Sequence, residues 1–122
     1  MQNRITVLWV EDDEPFRFAV ARQLEADGFR VIAVPDSLSA LAEWQNEQRI
    51  DLMLADIRMP PGQPHGLALG RMAQMRRPSL PLIFLTAYDD LAEAAEAMPC
   101  TVLRKTVEPS ELTAAIRAQI RH

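Results

Sequence analysis

A single cysteine, Cys100, occurs in the 122 residues, so the chain cannot close an internal disulfide, and a reducing, cytoplasmic setting is the expectation. Histidine is almost as scarce. His65 and His122 stand far apart with no further ligand at metal spacing, which argues against a histidine-based metal centre. No apolar stretch approaches the roughly 20 residues that a membrane span needs, and the opening MQNRITVLWV lacks the charged-then-apolar plan of a signal peptide. An excess of basic charge is also missing. Thirteen Lys and Arg face 17 Asp and Glu, a formal net charge of -4, whereas phosphate backbones are bound by concentrated positive charge. The one local basic cluster, Arg71, Arg76 and Arg77, reads as a solvated helix face. Neither direct nucleic-acid binding nor membrane binding is therefore expected. Internal repeats and low-complexity segments are absent.

What remains is a chain with 48% hydrophobic residues, enough for one well-buried core and too short for two, so residues 1–122 are read as a single domain. Five short apolar runs punctuate it: ITVLWV (5 to 10), RVIAV (30 to 34), LMLA (52 to 55), LPLIFL (80 to 85) and TVL (101 to 103). They are rich in branched residues and mostly do not alternate with polar ones, as parallel strands covered on both faces do. Helical patterns lie between them. Phe16, Val20 and Leu24 follow Pro15 and precede Gly28; Leu38, Leu41 and Ala42 follow the cap candidates Asp36 and Ser37. Leu69, Met72 and Ala73 mark a third helix, Leu91, Ala94, Ala95 and Met98 a fourth, and Leu112, Ala115, Ile116 and Ile120 a fifth begun by Pro109 and Ser110. Five βα units with right-handed crossovers give an α/β doubly wound parallel sheet. In such sheets the ligand site lies beyond the carboxyl ends of the strands.

The residues at those ends are Glu11, Asp12 and Asp13 after the first strand, Asp56 after the third, Thr86 after the fourth and Lys105 after the fifth. Each has an ordinary explanation as a cap, a turn former or a solvated charge. On one rim they form a set. Carboxylates brought together repel unless a cation sits among them, and two or three hard oxygen ligands suit Mg²⁺, which completes its octahedron with water and a phosphoryl group. An ammonium and a hydroxyl opposite would hold the remaining phosphoryl oxygens. The constellation reads as an aspartate that accepts a phosphoryl group and becomes an acyl phosphate.

VLWVEDDEPFR (7 to 17), DLMLADIRMP (51 to 60), LIFLTA (82 to 87) and VLRK (102 to 105) together resemble the receiver (CheY-like) domain of bacterial two-component response regulators. The resemblance implies a flavodoxin-like sheet in the order 2-1-3-4-5 and phosphotransfer from a sensor histidine kinase or a phosphotransfer protein, with control of a downstream protein target. It implies Asp56 as phosphoacceptor, and Asp12, Glu11, Asp56 and the Arg58 backbone carbonyl around Mg²⁺, with Glu11 acting through water. Thr86 and Lys105 would contact the phosphoryl group. Asp13 stays open, since three acids stand where the pattern needs two. At most, self-phosphorylation and self-dephosphorylation are implied, not an enzyme acting on other substrates.

The chain departs from the family pattern in four places. Thr106 replaces the proline that usually follows the lysine through a cis bond, and because cis costs about 2.5–4 kcal/mol before a non-proline residue, a trans peptide is expected. The loop PPGQPHG (60 to 66) is longer than usual, and the stretch from Thr86 to Lys105 is shorter. Val102 stands where the family commonly has Tyr or Phe. With no ring to swing there, activation is expected to act through Thr86, Tyr88 and the loop from Pro60 to Gly66. Tyr88 is balanced between exposed filler and gatekeeper of the site; Trp9, Trp44 and Cys100 are read as packing residues. Two alternatives stand beside the receiver reading. A phosphorylation-deficient pseudo-receiver that only binds a partner is favoured by Thr106 and Val102 and opposed by the intact acid, hydroxyl and lysine set. A haloacid-dehalogenase-type phosphotransferase would need a second acid two residues after its nucleophile, where this chain has Arg58.

Overall fold

The computed structural model describes residues 4–46, 49–59, 65–87, 89–96, 98–105 and 107–120. Strands and helices alternate along the chain: β1 (Thr6–Val10), α1 (Glu14–Ala26), β2 (Arg30–Val34), α2 (Ser37–Gln45), β3 (Leu52–Asp56), α3 (Gly66–Arg76), β4 (Leu82–Thr86), α4 (Asp89–Ala95), β5 (Thr101–Arg104) and α5 (Pro109–Ile120). All strand pairs are parallel and the sheet order is β2-β1-β3-β4-β5. The expected α/β doubly wound topology is thus the observed one. The order reverses between β1 and β3, which puts their C-terminal ends on either side of the switch point.

The apolar strands do not alternate because both faces are covered, and their side chains sort into two cores by the period of two. Leu8, Val10, Met53, Ala55, Leu82 and Phe84 pack beneath Ala40 and Trp44 of α2, Leu69 and Ala73 of α3 and Ala95 of α4. On the other face Val7, Trp9, Leu52, Leu54, Ile83 and Leu85 meet Leu24 of α1 and Leu112 and Ile116 of α5. Each fully buried aliphatic side chain contributes on the order of 1.5–3 kcal/mol, so β1, β3 and β4, buried at every position, are a rigid base for the residues at their tips. The strand β2 differs: it has β1 alone as a neighbour, and Arg30 and Ala33 are exposed.

Local chemistry sets the helix ends. The Asp13 carboxylate accepts from the Phe16 N–H (3.2 Å) as the α1 N-cap, with Pro15 in the first turn. After α1 the chain turns at Gly28, whose φ of 96° is left-handed and open to glycine. Asp36 caps α2 through the Ser39 N–H (2.8 Å), as expected, while Ser37 becomes the first helical residue and is buried. Three helix faces depart from the sequence reading. In α2, Ala40 and Trp44 point inward and Leu38 is exposed; in α3, Met72 lies at the margin; in α4, Ala94 is exposed and Met98 lies beyond the helix. Arg77 is more than a solvated charge, since its guanidinium donates to the Ile50 carbonyl and lies 5.9 Å from the centre of the Trp44 ring. Cys100 is half-buried just before β5, with its thiol donating to the Ala95 carbonyl (2.9 Å). Among the described residues no helix is long and apolar enough to cross a membrane.

Candidate functional site

The strand tips bring most of the expected residues together. Glu11 follows β1 directly, and its main chain is tied on both sides: its N–H donates to Val34 O (3.0 Å) and its carbonyl accepts from Arg17 Nη1 (2.9 Å). Asp56 is the last residue of β3, beside β1 on one side and β4 on the other. One of its carboxylate oxygens, Oδ1, accepts the Arg58 N–H (3.2 Å). Thr86 ends β4 and is buried, and its carbonyl accepts the Lys105 N–H (3.1 Å), fixing where the lysine leaves the sheet.

The ammonium of Lys105 closes the group. Its Nζ lies 3.0 Å from Glu11 Oε1 and 3.0 Å from Asp56 Oδ2. A third side of the ammonium faces the Phe16 ring, 5.0 Å from its centre. Burial pulls the Lys105 pKa down, but the contacts to Asp56 and Glu11 outweigh it and hold the group above its ordinary value, so the lysine is charged. Glu11 is fully buried. Burial pushes its carboxyl up to about 7 from 4.5, against the Asp13 N–H bonded to Oε2 (3.0 Å) and the Lys105 ammonium, which favour the charged form.

Glu11, Asp12 and Asp56 each offer one oxygen, and these oxygens lie within 4.8 Å of one another. Among the described residues, buried Glu11 Oε1 has no hydrogen bond of good geometry, and the lysine charge lies 3.0 Å away. Asp12, by contrast, is exposed. Three carboxylates against one ammonium leave an excess of negative charge in a partly dry cleft, and a divalent cation with oxygen ligands fits that need. Asp13 is the cap of α1, which separates it from this group and leaves Glu11 and Asp12 as the acid pair.

Some expectations fall elsewhere. Tyr88, Thr106, His122 and loop residues 60–64 lie outside the described residues, and with them the Lys105–Thr106 peptide. His65 is the N-cap of α3, its Nδ1 accepting from the Leu67 N–H (3.4 Å). Sequence reasoning missed three supporting residues. Arg17 holds the Glu11 carbonyl, Phe16 faces the lysine, and Gly66 packs on the Asp56 main chain. Phe16 was legible only as a core position, because its period is that of an ordinary buried helix face.

An acid cluster and a lysine thus meet at the switch point of a 2-1-3-4-5 sheet. The chain belongs to the response regulator receiver domain family, whose model matches residues 7–117. The family is one of signalling receiver domains. The transcriptional regulatory protein CseB of Streptomyces coelicolor is 35% identical over 124 residues, a match to 99% of this chain and 51% of CseB. This chain thus spans about half the length of the curated relatives that head the comparison. A response regulator receiver domain protein from Clostridium thermocellum superposes with a TM-score of 0.87 at 27% identity, covering 96% of this chain and 94% of that one. A receiver protein from Sinorhizobium medicae gives a TM-score of 0.89 over 98% and 96% of the two chains; at 23% identity it speaks for the fold alone.

Proposed function

We propose that residues 1–122 act as one phosphorylation-controlled switch, in which Asp56 accepts a phosphoryl group from the phosphohistidine of a sensor histidine kinase or a phosphotransfer protein. The observation that carries this reading is the double contact of Lys105 Nζ, 3.0 Å from both Glu11 Oε1 and Asp56 Oδ2, at the mouth of a three-acid cluster. In the transfer step an Asp56 carboxylate oxygen forms a bond to phosphorus. The bond from phosphorus to the donor's imidazole nitrogen breaks, its electron pair stays on that nitrogen, and a proton from solvent completes the released imidazole. The reaction is governed by positioning and charge. Lys105, released from the Asp56 carboxylate as it becomes an acyl phosphate, holds a phosphoryl oxygen, and the Thr86 hydroxyl takes another. Glu11, Asp12, Asp56 and the Arg58 carbonyl are the residues that would hold Mg²⁺. When bound, that ion neutralises charge on the carboxylates and the transferring group.

Hydrolysis of the acyl phosphate would return the switch to its resting state. The output goes to a protein partner or to a further segment of a longer regulator, in a cytoplasmic setting without direct contact to nucleic acid or membrane. The test is labelling with acetyl phosphate and Mg²⁺, followed by mass mapping. One phosphoryl group on Asp56, lost in Asp56→Asn and in EDTA, is expected; stoichiometric labelling that survives Asp56→Asn rules the assignment out.

A further inference from the structure

Lys105 reaches the acid cluster from the turn after β5. A long, rotamer-rich side chain on such a turn needs lateral support if its ammonium is to wait at one point. Two of its contacts, Glu11 Oε1 and Asp56 Oδ2, are carboxylates of the site itself, and one of those is lost as a carboxylate partner when Asp56 becomes an acyl phosphate. The Phe16 ring, 5.0 Å from Nζ to its centre, is a contact that the reaction leaves unchanged.

That ring is itself held. It stands edge-on to Trp9, with centroids 5.8 Å apart and planes at 70°. Trp9 is fully buried in β1, and its indole N–H donates to the Arg17 carbonyl (3.0 Å), one residue beyond Phe16. The first turn of α1 is fixed in turn by the Asp13 cap on the Phe16 N–H (3.2 Å). Rigidity therefore passes from the sheet through Trp9 to Phe16 and from there to the ammonium.

We propose that Phe16 is a positioning residue for phosphoryl transfer: its ring face keeps the Lys105 ammonium beside Asp56 while that carboxylate changes from charge partner to acyl phosphate. The inference rests on the reading of Asp56 as phosphoacceptor and adds a residue to it. Phe16 does not touch the transferred group; it acts through Lys105.

The test is the rate of Asp56 labelling by acetyl phosphate with Mg²⁺ in the full chain, for Phe16→Leu, Phe16→Trp, Lys105→Met and the Phe16→Leu/Lys105→Met pair. Phe16→Leu is expected to slow labelling about 3- to 30-fold, the range of a partly desolvated cation–π contact. Phe16→Trp, which restores a π face, is expected to recover most of the rate. In the Lys105→Met background, Phe16→Leu should have no further effect. Equal slowing with and without the lysine would mean that Phe16 acts by packing alone, and would overturn the proposal. So would a Phe16→Leu protein labelled at the parental rate. A parent that takes no label on Asp56 overturns both readings together, whereas a labelled parent with an indifferent ring overturns only this one. Urea unfolding of the same four proteins guards against a folding defect, since a coupling between Phe16 and Lys105 in stability is expected whether or not the protein is phosphorylated.

Discussion

Gly66 stands against the main chain that delivers Asp56: a β-carbon there would lie 2.4 Å from the Asp56 carbonyl oxygen and 2.7 Å from Ile57 Cα. The same glycine donates its N–H to the Ile57 carbonyl (2.8 Å), so the start of α3 is stitched to the segment just past the phosphoacceptor candidate. Backbone atoms cannot give way as a flexible side chain can. Gly66→Ala is expected to cost about 2–3 kcal/mol in urea unfolding, the upper range of overpacking, and to slow Asp56 labelling. A variant as stable as the parent would show that α3 has room to move.

Asp12 and Asp13 are neighbours with separable duties. Asp12 is exposed and shares the acid cluster, whereas Asp13 caps α1. Asp13→Ala should cost about 1 kcal/mol of stability, as cap losses do, while keeping Mg²⁺-dependent labelling. Asp12→Asn should leave the unfolding midpoint near that of the parent, measured without metal, and raise the Mg²⁺ concentration needed for labelling at least tenfold. The opposite pattern would exchange the two assignments.

The buried Glu11 carboxyl gives the metal-free protein a pH dependence. Its pKa rises from 4.5 to about 7 because burial disfavours the charge. The folded state then holds this proton more tightly than the unfolded chain, so the contribution to stability is full below about pH 4.5 and is lost as the pH climbs through 7. In EDTA, unfolding at pH 8 should be easier than at pH 6 by about 1 kcal/mol from this group, and Glu11→Gln should flatten that difference. Adding Mg²⁺ at pH 8 should restore stability, because a ligand that binds only the folded state stabilises it. A parent that becomes steadily more stable from pH 6 to pH 8 in EDTA would contradict the argument.

Activation is expected to spare α5. Thr113 donates to Asp27 Oδ2 (2.5 Å) and Arg117 to the Asp27 carbonyl (2.8 Å), which fastens α5 to the end of α1. Val102, paired with Phe84 in the sheet, offers only a small branched side chain to move. Amide exchange with and without beryllofluoride and Mg²⁺ should change at residues 57–66 and at the start of α4, with residues 109–120 nearly unchanged. A protection change confined to residues 101–120 would defeat this expectation.

The fold was legible because each strand is an unbroken apolar run and each gap carries a helix period, and two buried faces leave a strand no alternative pattern. The acid, hydroxyl and lysine positions were legible because the strand-end rule points to one rim. Less visible was which face of a helix goes inward when small residues dominate. Ala40 buries while Leu38 does not, because α2 packs through Trp44 and its close-fitting alanine. The sequence also left Asp13 open, since the choice between cap and ligand depends on where α1 begins. Phe16 and Arg17 were silent as site residues because their roles arise from the approach of α1 to the end of β5 and to its own entry turn, a distance that no local pattern encodes.

Trp9 and Trp44 lie on opposite faces of one sheet and in unlike surroundings. The Trp9 indole is hydrogen-bonded and edge-on to the ring that faces Lys105, while the buried Trp44 Nε1 has no hydrogen-bond partner among the described residues and its ring lies under the Arg77 guanidinium. The molecule therefore contains two tryptophan fluorophores, one coupled to the acid cluster and one remote from it. Trp44→Phe leaves Trp9, two residues from Glu11, as the lone tryptophan; excited selectively at long wavelength, its quantum yield should shift as Mg²⁺ or a phosphoryl group moves the neighbouring ammonium, giving an unlabelled optical titration of the site.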